Sequence, residues 1–313
     1  MALADTHDWR TFATEDFLAA FGAPESDRAL IADEAAKYDF GWRRLTRDER
    51  DSAILSILKR LDSFTKVGEH RHGVWNDSWE ETRQRYLKSG RDIEALDPPF
   101  MGATPIIRLQ GDYAIPRNPA FEHYWFRVYR QWMFKKFIGG SRRFLEFGCG
   151  SGFNLATIGK LKPELELTGL DWAQPAVDLV NQVAEDHKLN LKGRRFDYFN
   201  LDKSVDIGPG AAVGTFCSLE QTGVRYKGFF EWLLEAKPDL VISMEPGIEN
   251  YNQDDLFDYL GWSYVNHRQY LNGYFTDVRE AAKAGKAEIL WDRRPGFGSF
   301  YHEGYSLIVW RPL

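Results

Sequence analysis

The chain has 313 residues, of which 43% are hydrophobic and 27% charged, and its formal net charge is −6. This composition predicts a globular protein with a full core, built as one large domain or as one domain with an appendage. Because no run of lysine or arginine forms a basic stripe, bulk nucleic-acid binding is disfavoured. The two cysteines argue against a disulfide framework.

Several other classes of protein are disfavoured by what the chain lacks. There is no C-x-x-C or H-E-x-x-H motif, so we expect no metal site. The N-terminus becomes polar too early for a signal peptide, and no apolar run approaches the roughly 20 residues that span a bilayer. We therefore expect a cytoplasmic protein without a nucleic-acid or membrane partner, and a homodimer is left open.

Residues 1–118 are predicted to form a helical extension without a clear strand. In the best-defined helix, Thr46 and Glu49 form a capping box ahead of one apolar face. That face contains Ile54, Leu55, Ile57, Leu58 and Leu61. The predicted helices span residues 16–21, 27–38, 46–61 and 77–87. Residues 97–119 carry five prolines and two glycines, which predicts an ordered crossing loop.

An aromatic helix is predicted at 121–138, ended by Gly139 and Gly140. Its aromatic residues lie nearly all round, so we expect it to be buried on most sides. It immediately precedes the first strand of the next region. We therefore expect it to dock the N-terminal extension and to line a site, within a second domain at 119–313.

From residue 143 the pattern alternates strand and helix, which predicts a parallel sheet. The predicted strands span 143–147, 165–170, 192–197, 212–217, 239–245, 287–293 and 305–311. The predicted helices span 153–161, 174–187, 225–236 and 267–284. The connection before the last strand is too short for a parallel crossover, so the last two strands should form an antiparallel hairpin.

A glycine-rich turn follows the first of these strands. Glu146 is followed by Gly148, Gly150 and Gly152, and Asp171 ends the next strand nineteen residues later. A dinucleotide fingerprint would need a third glycine at 153, where this chain has Phe153. The E-x-G-x-G-x-G pattern instead resembles the S-adenosylmethionine loop of class I methyltransferases of the bacterial small-molecule type.

This resemblance implies a seven-stranded, mostly parallel Rossmann-like α/β sheet over residues 120–313, with S-adenosylmethionine as cofactor and S-adenosylhomocysteine as product. It implies that Asp171 takes the ribose hydroxyls and that Trp172 covers one adenine face. Asp197, at the end of the third strand, is the candidate partner of the adenine amino group, although an aspartate there is also ordinary turn chemistry. The full predicted cofactor set is Glu146, Gly148, Gly150, Gly152, Asn154, Asp171, Trp172, Asp197, Tyr198 and Cys217.

Candidate substrate residues follow the later strands. Glu220, Glu245 and Glu249 are expected to gather on one wall among aromatic rings, an arrangement that suits a cationic or amine substrate. Glu220 could also cap a helix, and Glu249 could be a solvated loop charge. The full predicted substrate set is His123, Tyr124, Glu220, Gln221, Glu245, Glu249 and Tyr301, and the predicted catalytic set is Glu220, Tyr124 and His302. A structural role is the alternative for His302.

The reaction predicted from these residues is methyl transfer from S-adenosylmethionine to the N or S atom of a small amino-acid-like or amine substrate. A methionine thioether is one candidate, and a neutral amine or thioether needs little base assistance. Three alternatives remain open. They are O-methylation of a sugar or natural-product hydroxyl, a cofactor-binding subunit without catalysis, and methylation of a protein or RNA.

Overall fold

The structure is a computed structural model that describes residues 8–98, 101–102 and 105–313. Its strands form two sheets, one of five strands and one of seven. Ten α-helices lie in the described ranges, and none of them is long and apolar enough to cross a membrane.

The N-terminal helices lie close to their predicted positions. They are α1 (Thr14–Phe21), α2 (Arg28–Ala35), α3 (Arg47–Arg60) and α4 (His72–Lys88). The capping box of α3 is confirmed, since Glu49 N donates to Thr46 Oγ1 over 3.3 Å and Thr46 N donates to Glu49 Oε2 over 2.8 Å. The predicted apolar face of α3 is wrong in part: Leu55 and Leu58 are 50% and 48% exposed, because the face that packs inward is centred on Ile57.

The expectation that residues 1–118 contain no strand is wrong. This segment supplies β1 (Arg10–Thr11), β2 (Gly41–Arg44), β3 (Ile107–Leu109) and β4 (Asp112–Pro116). They form an antiparallel sheet in the order β1-β2-β4-β3-β11, where β11 is Phe297–Gly298 from the far end of the chain. The predicted crossing loop at 97–119 therefore contains two strands, and its residues 99–100 and 103–104 lie outside the described ranges. Strands this short give little alternating pattern.

Helix α5 (Phe121–Phe137) joins the two sheets. Trp125 stacks on Phe297 of the five-stranded sheet with 4.1 Å between ring centroids. On another side, Phe134 meets Phe216 of the seven-stranded sheet edge-on at 5.8 Å. Trp125, Tyr129 and Trp132 are fully buried, so the helix is enclosed on most sides as its aromatic sequence predicts.

The seven-stranded sheet confirms the predicted architecture. Its strands are β5 (Arg143–Phe147), β6 (Glu166–Asp171), β7 (Leu191–Arg195), β8 (Ala211–Phe216), β9 (Leu240–Glu245), β10 (Ala287–Arg293) and β12 (Ser306–Pro312). Their order is β10-β12-β9-β8-β5-β6-β7, and only β12 runs antiparallel to its neighbours. The order turns back at β5, so the ends of β5, β6 and β8 open onto one crevice, where ligands of such sheets bind.

The helices of this half are α6 (Phe153–Leu161), α7 (Gln174–His187), α8 (Lys227–Ala236), α9 (Leu256–Arg268) and α10 (Tyr274–Lys283). The prediction of a single helix at 267–284 is wrong. Helix α9 begins earlier, where Asp255 Oδ1 accepts from Asp258 N over 2.9 Å, and it ends where Gln269 adopts the left-handed conformation. The pattern obscures this break because apolar residues continue on both sides of it.

Candidate active site

The glycine loop between β5 and α6 is a backbone surface from which side chains are excluded. Gly148, Gly150 and Gly152 have φ angles of 67°, 52° and 73°, a conformation that L side chains rarely adopt. A Cβ atom at Gly148 would lie 2.3 Å from Ser218 Cβ, and one at Gly150 would lie 2.5 Å from the ring of Trp79. The loop can therefore approach a ligand closely only because these positions are glycine.

Glu146 lies behind this loop in a completely buried position. Its Oε1 accepts from Asn154 Nδ2 over 2.8 Å, and Asn154 Oδ1 in turn accepts from Arg130 of α5 over 3.2 Å. The second carboxylate oxygen, Oε2, is buried and has no hydrogen-bond partner. Burial raises the pKa of Glu146 to about 8. Oε2 therefore keeps free hydrogen-bonding capacity beside the glycine loop, which a polar group of a bound cofactor could use.

Asp171, at the end of β6, is held by the backbone in the same crevice. Its Oδ2 accepts from Gly150 N and its Oδ1 accepts from Ala173 N, each over 2.9 Å. Burial raises the pKa of Asp171 to about 6, although the two amides act in the opposite direction. Each oxygen keeps a second lone pair, so the carboxylate can still accept from a ligand hydroxyl.

A cavity of about 520 Å³, part of it open to solvent, lies in front of the loop, and we call it the glycine-loop cavity. It is lined by Trp75, Trp79, Gly148, Asp171, Trp172, Phe196, Tyr198, Phe199, Cys217, Ser218, Gln221 and Thr222. The aromatic faces and the single carboxylate fit the adenine and ribose of a nucleoside cofactor. Asp197 is absent from this lining, since its Oδ1 accepts from Phe199 N over 2.8 Å within a turn.

A second, larger cavity of about 1240 Å³, also open to solvent, adjoins the first and contains four tyrosines, so we call it the tyrosine cavity. It is lined by Arg71, Val74, Trp75, Ser78, Met101, Glu122, Cys217, Glu220, Gln221, Tyr264, Arg268, Tyr270, Ser299, Tyr301, His302, Gly304 and Tyr305. Trp75, Cys217 and Gln221 line both cavities. Ligands in the two cavities would therefore meet at these three side chains.

Glu220 is the acid that the sequence predicts and that the structure places in the tyrosine cavity. It is 7% exposed, and its Oε1 accepts from Gln221 Nε2 over 2.8 Å. Burial, and then the neighbouring charge of Glu245, raises the pKa of Glu220 to about 8. A carboxyl group with such a pKa can exchange a proton with a bound molecule near neutral pH.

The hairpin loop before β12 also reaches this cavity. Tyr301 stacks on Tyr264 with 5.3 Å between ring centroids, and His302 lies 5.0 Å from the same ring. Burial, and then the charge of Arg108, lowers the pKa of His302 to about 3. The imidazole is therefore neutral at physiological pH and can act there as a hydrogen-bond donor or acceptor only.

Glu245 and Glu249, expected beside Glu220, line neither cavity. The carboxylate of Glu245 accepts from the backbone amides of Ser218, Leu219 and Glu220 over 3.1–3.2 Å. Glu249 Oε1 accepts from Phe275 N over 2.9 Å at the start of α10. Both acids satisfy backbone donors, so the predicted acidic wall is reduced to Glu220 together with Glu122, which sequence reasoning missed.

His123 and Tyr124 also lie away from both cavities. His123 Nε2 is 3.1 Å from Met101 O, and Tyr124 stacks on Tyr38 with 4.5 Å between ring centroids. It is the preceding residue of α5, Glu122, that enters the tyrosine cavity, where its carboxylate accepts from Tyr305 Oη and Gly102 N, each over 2.8 Å. The geometry gives no support to a catalytic role for Tyr124.

Helix α4 supplies the largest group of site residues that the sequence did not predict. Trp75 and Trp79 lie one helical turn apart, and their rings stack with 5.8 Å between centroids and 19° between planes. Spacing of i and i+4 places such a pair on one helix face, which was the available signal. Among the described residues, no group of three or more His, Cys, Asp or Glu side chains could hold a metal ion.

Comparison with known proteins finds likeness in structure alone. No family model matches the sequence, and no curated protein matches it. The [4+2]-cyclase SpnF matches with a TM-score of 0.51 at 13% identity, over 79% of this chain and 98% of SpnF. The methyltransferase domain of bacterial CtHen1 matches with a TM-score of 0.41 at 17% identity, over 57% and 92%.

A third match is the neocarzinostatin O-methyltransferase NcsB1, solved with S-adenosylmethionine and a naphthoic acid. Its TM-score is 0.40 at 12% identity, over 63% of this chain and 59% of NcsB1. Identities this low bear on the fold only. The sheet order with its antiparallel last strand and the likeness to SpnF show that the chain has the Rossmann-like fold found in class I methyltransferases.

Proposed function

We propose that this protein is an S-adenosylmethionine-dependent methyltransferase that acts on a small molecule bound in the tyrosine cavity. The observation that carries the proposal is the junction of the two cavities at Trp75, Cys217 and Gln221. The glycine-loop cavity with Asp171 lies on one side of that junction, and the tyrosine cavity with Glu220 lies on the other.

The residues around the glycine-loop cavity fit this cofactor. Asp171 would accept the ribose hydroxyls, Trp172 would cover the adenine, and the glycine loop with Glu146 would hold the methionine portion. When bound, S-adenosylmethionine supplies an activated methyl group. The surrounding side chains would exclude water and align the acceptor with that group, which is the main contribution that an enzyme makes to such a displacement.

Glu220 bears on the choice of acceptor. Its pKa of about 8 suits a base that takes the proton an amine or a hydroxyl loses on methylation. A thioether has no proton to lose, so a base lining the tyrosine cavity favours an amine or hydroxyl acceptor over the methionine thioether. The neutral His302 could orient the acceptor through a hydrogen bond.

Calorimetry with S-adenosylhomocysteine tests the cofactor assignment. We expect Asp171→Asn to weaken binding about tenfold or more, because a charge-assisted hydrogen bond is replaced by a weaker neutral one. The matched control is Asp178→Asn, an exposed aspartate on α7, which should bind like the wild type. No binding by the wild-type protein would contradict the proposal.

Methyl transfer itself is tested by incubating the enzyme and cofactor with a metabolite extract and searching by mass spectrometry for products that gain a CH₂ unit. Such products from small molecules would support the proposal. Cofactor binding without transfer across broad extracts would instead support a cofactor-binding subunit. Label recovered in protein or RNA would show that the substrate is a macromolecule.

A further inference from the structure

Two arginines that sequence reasoning did not single out line the tyrosine cavity. Arg71 ends a short 3₁₀ turn just before α4, and Arg268 is the last residue of α9. Their segments are joined by a backbone hydrogen bond in which Val67 N donates to Arg268 O over 2.9 Å. The two side chains therefore reach the cavity from adjoining parts of its wall.

Each guanidinium is placed by contacts that leave hydrogen-bond donors free. Arg71 donates to Gln221 Oε1 over 3.0 Å, and its Cζ lies 5.1 Å from the centroid of the Trp75 ring. Arg268 Cζ lies 5.0 Å from the centroid of the Tyr270 ring. The Nε atoms of both arginines are buried and have no hydrogen-bond partner.

Neither arginine forms an ion pair with a carboxylate anywhere in the described ranges. Burial, and then the charge of Arg268, lowers the pKa of Arg71, as expected for two like charges near each other in a partly dehydrated site. The two acids that line the cavity are held by other groups, since Glu220 accepts from Gln221 and Glu122 accepts from Tyr305 Oη and Gly102 N. The positive charge in the cavity is thus left without a fixed counter-ion, an arrangement that costs free energy unless a ligand supplies one.

We propose that Arg71 and Arg268 bind a carboxylate of the substrate. The methyl acceptor is then an amine or hydroxyl group of a molecule that also bears an aromatic or other planar carboxylic acid. This deepens the proposed function and rests on it. Guanidinium groups match a carboxylate in charge and in planar geometry. The rings of Tyr264, Tyr301 and Trp75 provide stacking surfaces for a planar acid. Because Glu220 and Glu122 also line the cavity, a dianionic phosphate would meet more repulsion there than a monoanionic carboxylate.

The sequence suggests a cationic substrate, whereas the arginines favour one that carries a negatively charged carboxylate. Of the three acids that suggested a cationic ligand, Glu245 and Glu249 are used by backbone amides and only Glu220 lines the cavity. Two arginines from other parts of the chain line it as well. The sequence did not indicate their position, because Arg71 and Arg268 are far apart along the chain and meet only through the tertiary fold.

The test measures how the 313-residue chain binds phenylacetate, benzylamine and inorganic phosphate. Binding is measured by ligand-observed NMR and by calorimetry. Wild-type protein should bind phenylacetate in preference to the other two probes. Arg268→Gln and Arg71→Gln should each weaken that binding about tenfold, and Arg268→Lys, which keeps the charge but loses the planar fork, should fall between. The matched control Arg47→Gln removes an exposed arginine of α3 and should leave binding unchanged.

Each other outcome counts against the inference. Equal phenylacetate binding by wild type and the glutamine variants would overturn it, as would preference for benzylamine or phosphate, or no binding of phenylacetate at millimolar concentration. S-adenosylhomocysteine binding is measured on the same samples. If it is retained in all variants while phenylacetate is not bound, this inference fails and the proposed function stands; if it is absent from the wild type, the proposed function fails.

Discussion

The side chain of Glu220 should give the methyl-transfer rate a measurable pH dependence. Because its pKa is raised to about 8, the carboxyl group is mostly protonated below that pH and becomes a base above it. The methyl-transfer rate should therefore rise with pH up to about 8 and then level off. Glu220→Gln should lower the rate on the order of 100-fold and remove the rising limb.

The control for this prediction is cofactor affinity, which Glu220→Gln should leave unchanged because Glu220 does not line the glycine-loop cavity. A pH profile that survives the substitution would show that another group accepts the proton. His302 is a poor substitute, since its pKa is lowered to about 3.

Adding a single Cβ atom at Gly150 tests how tightly the glycine loop packs against α4. Alanine there would have to adopt a φ of 52°, and its Cβ would lie 2.5 Å from the Trp79 ring. We expect Gly150→Ala to lower the free energy of unfolding by about 1–2 kcal/mol from backbone strain alone. It should also weaken cofactor binding, because α4 must move away from the loop.

Gly139→Ala is the matched control, since a Cβ at Gly139 meets no atom within 4 Å and its φ is not positive. Urea unfolding and calorimetry should find this variant close to the wild type. If both substitutions had the same small effect, the loop would have more room than the structure shows.

At the level of elements, the end of β9 holds the segment after β8 in place. Glu245 accepts from three successive amides, at Ser218, Leu219 and Glu220. Glu245→Gln would present an amide NH₂ to at least one of these donors. The free energy of unfolding should fall by about 1–3 kcal/mol, the cost of leaving a buried donor unpaired.

Methyl transfer should also fall in this variant, because the backbone that carries Glu220 loses its anchor. The exposed Glu231→Gln on α8 is the control, and urea unfolding of both variants is the measurement. Loss of substrate binding with no loss of stability would instead place Glu245 among the substrate ligands, as its position at a strand end first suggests.

The strands and helices of the seven-stranded sheet could be predicted because each has a recognisable pattern in its own short stretch of sequence. Alternating strands and helices, the glycines after β5 and the aspartate ending β6 all follow from short-range pattern. The five-stranded sheet could not be predicted in this way, since β1 and β11 have two residues each and owe their existence to pairing across the chain.

The same distinction applies to the site. Glycines and Asp171 are recognised from spacing, whereas Glu245 and Glu220 look alike in sequence and differ only in what surrounds them. One faces three backbone amides, and the other faces a cavity. Trp75 and Trp79 left only their i, i+4 spacing as a signal, and Arg71 and Arg268 left none, because the tertiary fold alone brings them to the edge of the sheet.

On the scale of the whole molecule, residues 119–313 depend on the chain before them. Phe21 of α1 packs 4.5 Å from Tyr129 and 5.2 Å from Trp132, between ring centroids. Removing residues 1–118 would expose this aromatic face of α5 and would leave β11 without β3. We expect the fragment 119–313 to aggregate on expression.

Co-expression with residues 1–118 should restore a soluble complex, and size-exclusion chromatography would detect it. A fragment 119–313 that is soluble alone, unfolds cooperatively and binds cofactor would contradict this expectation. It would show instead that the boundary predicted at 118 separates two autonomous units.

The stacked pair on α4 gives the protein an optical reporter. Trp79 lines the glycine-loop cavity, whereas Trp75 lines both cavities. Indole emission responds to the polarity and polarisability of its surroundings, so filling the glycine-loop cavity should change the fluorescence of both rings. Filling the tyrosine cavity should change that of Trp75. Trp172 also lines the glycine-loop cavity, whereas Trp75 is, among the described residues, the only tryptophan in the lining of the tyrosine cavity. Replacing Trp75 by phenylalanine should therefore remove the response to the tyrosine cavity and leave Trp79 and Trp172 to report the other, so that stopped-flow fluorescence of this variant and the wild type resolves the order of the two binding events without any added dye.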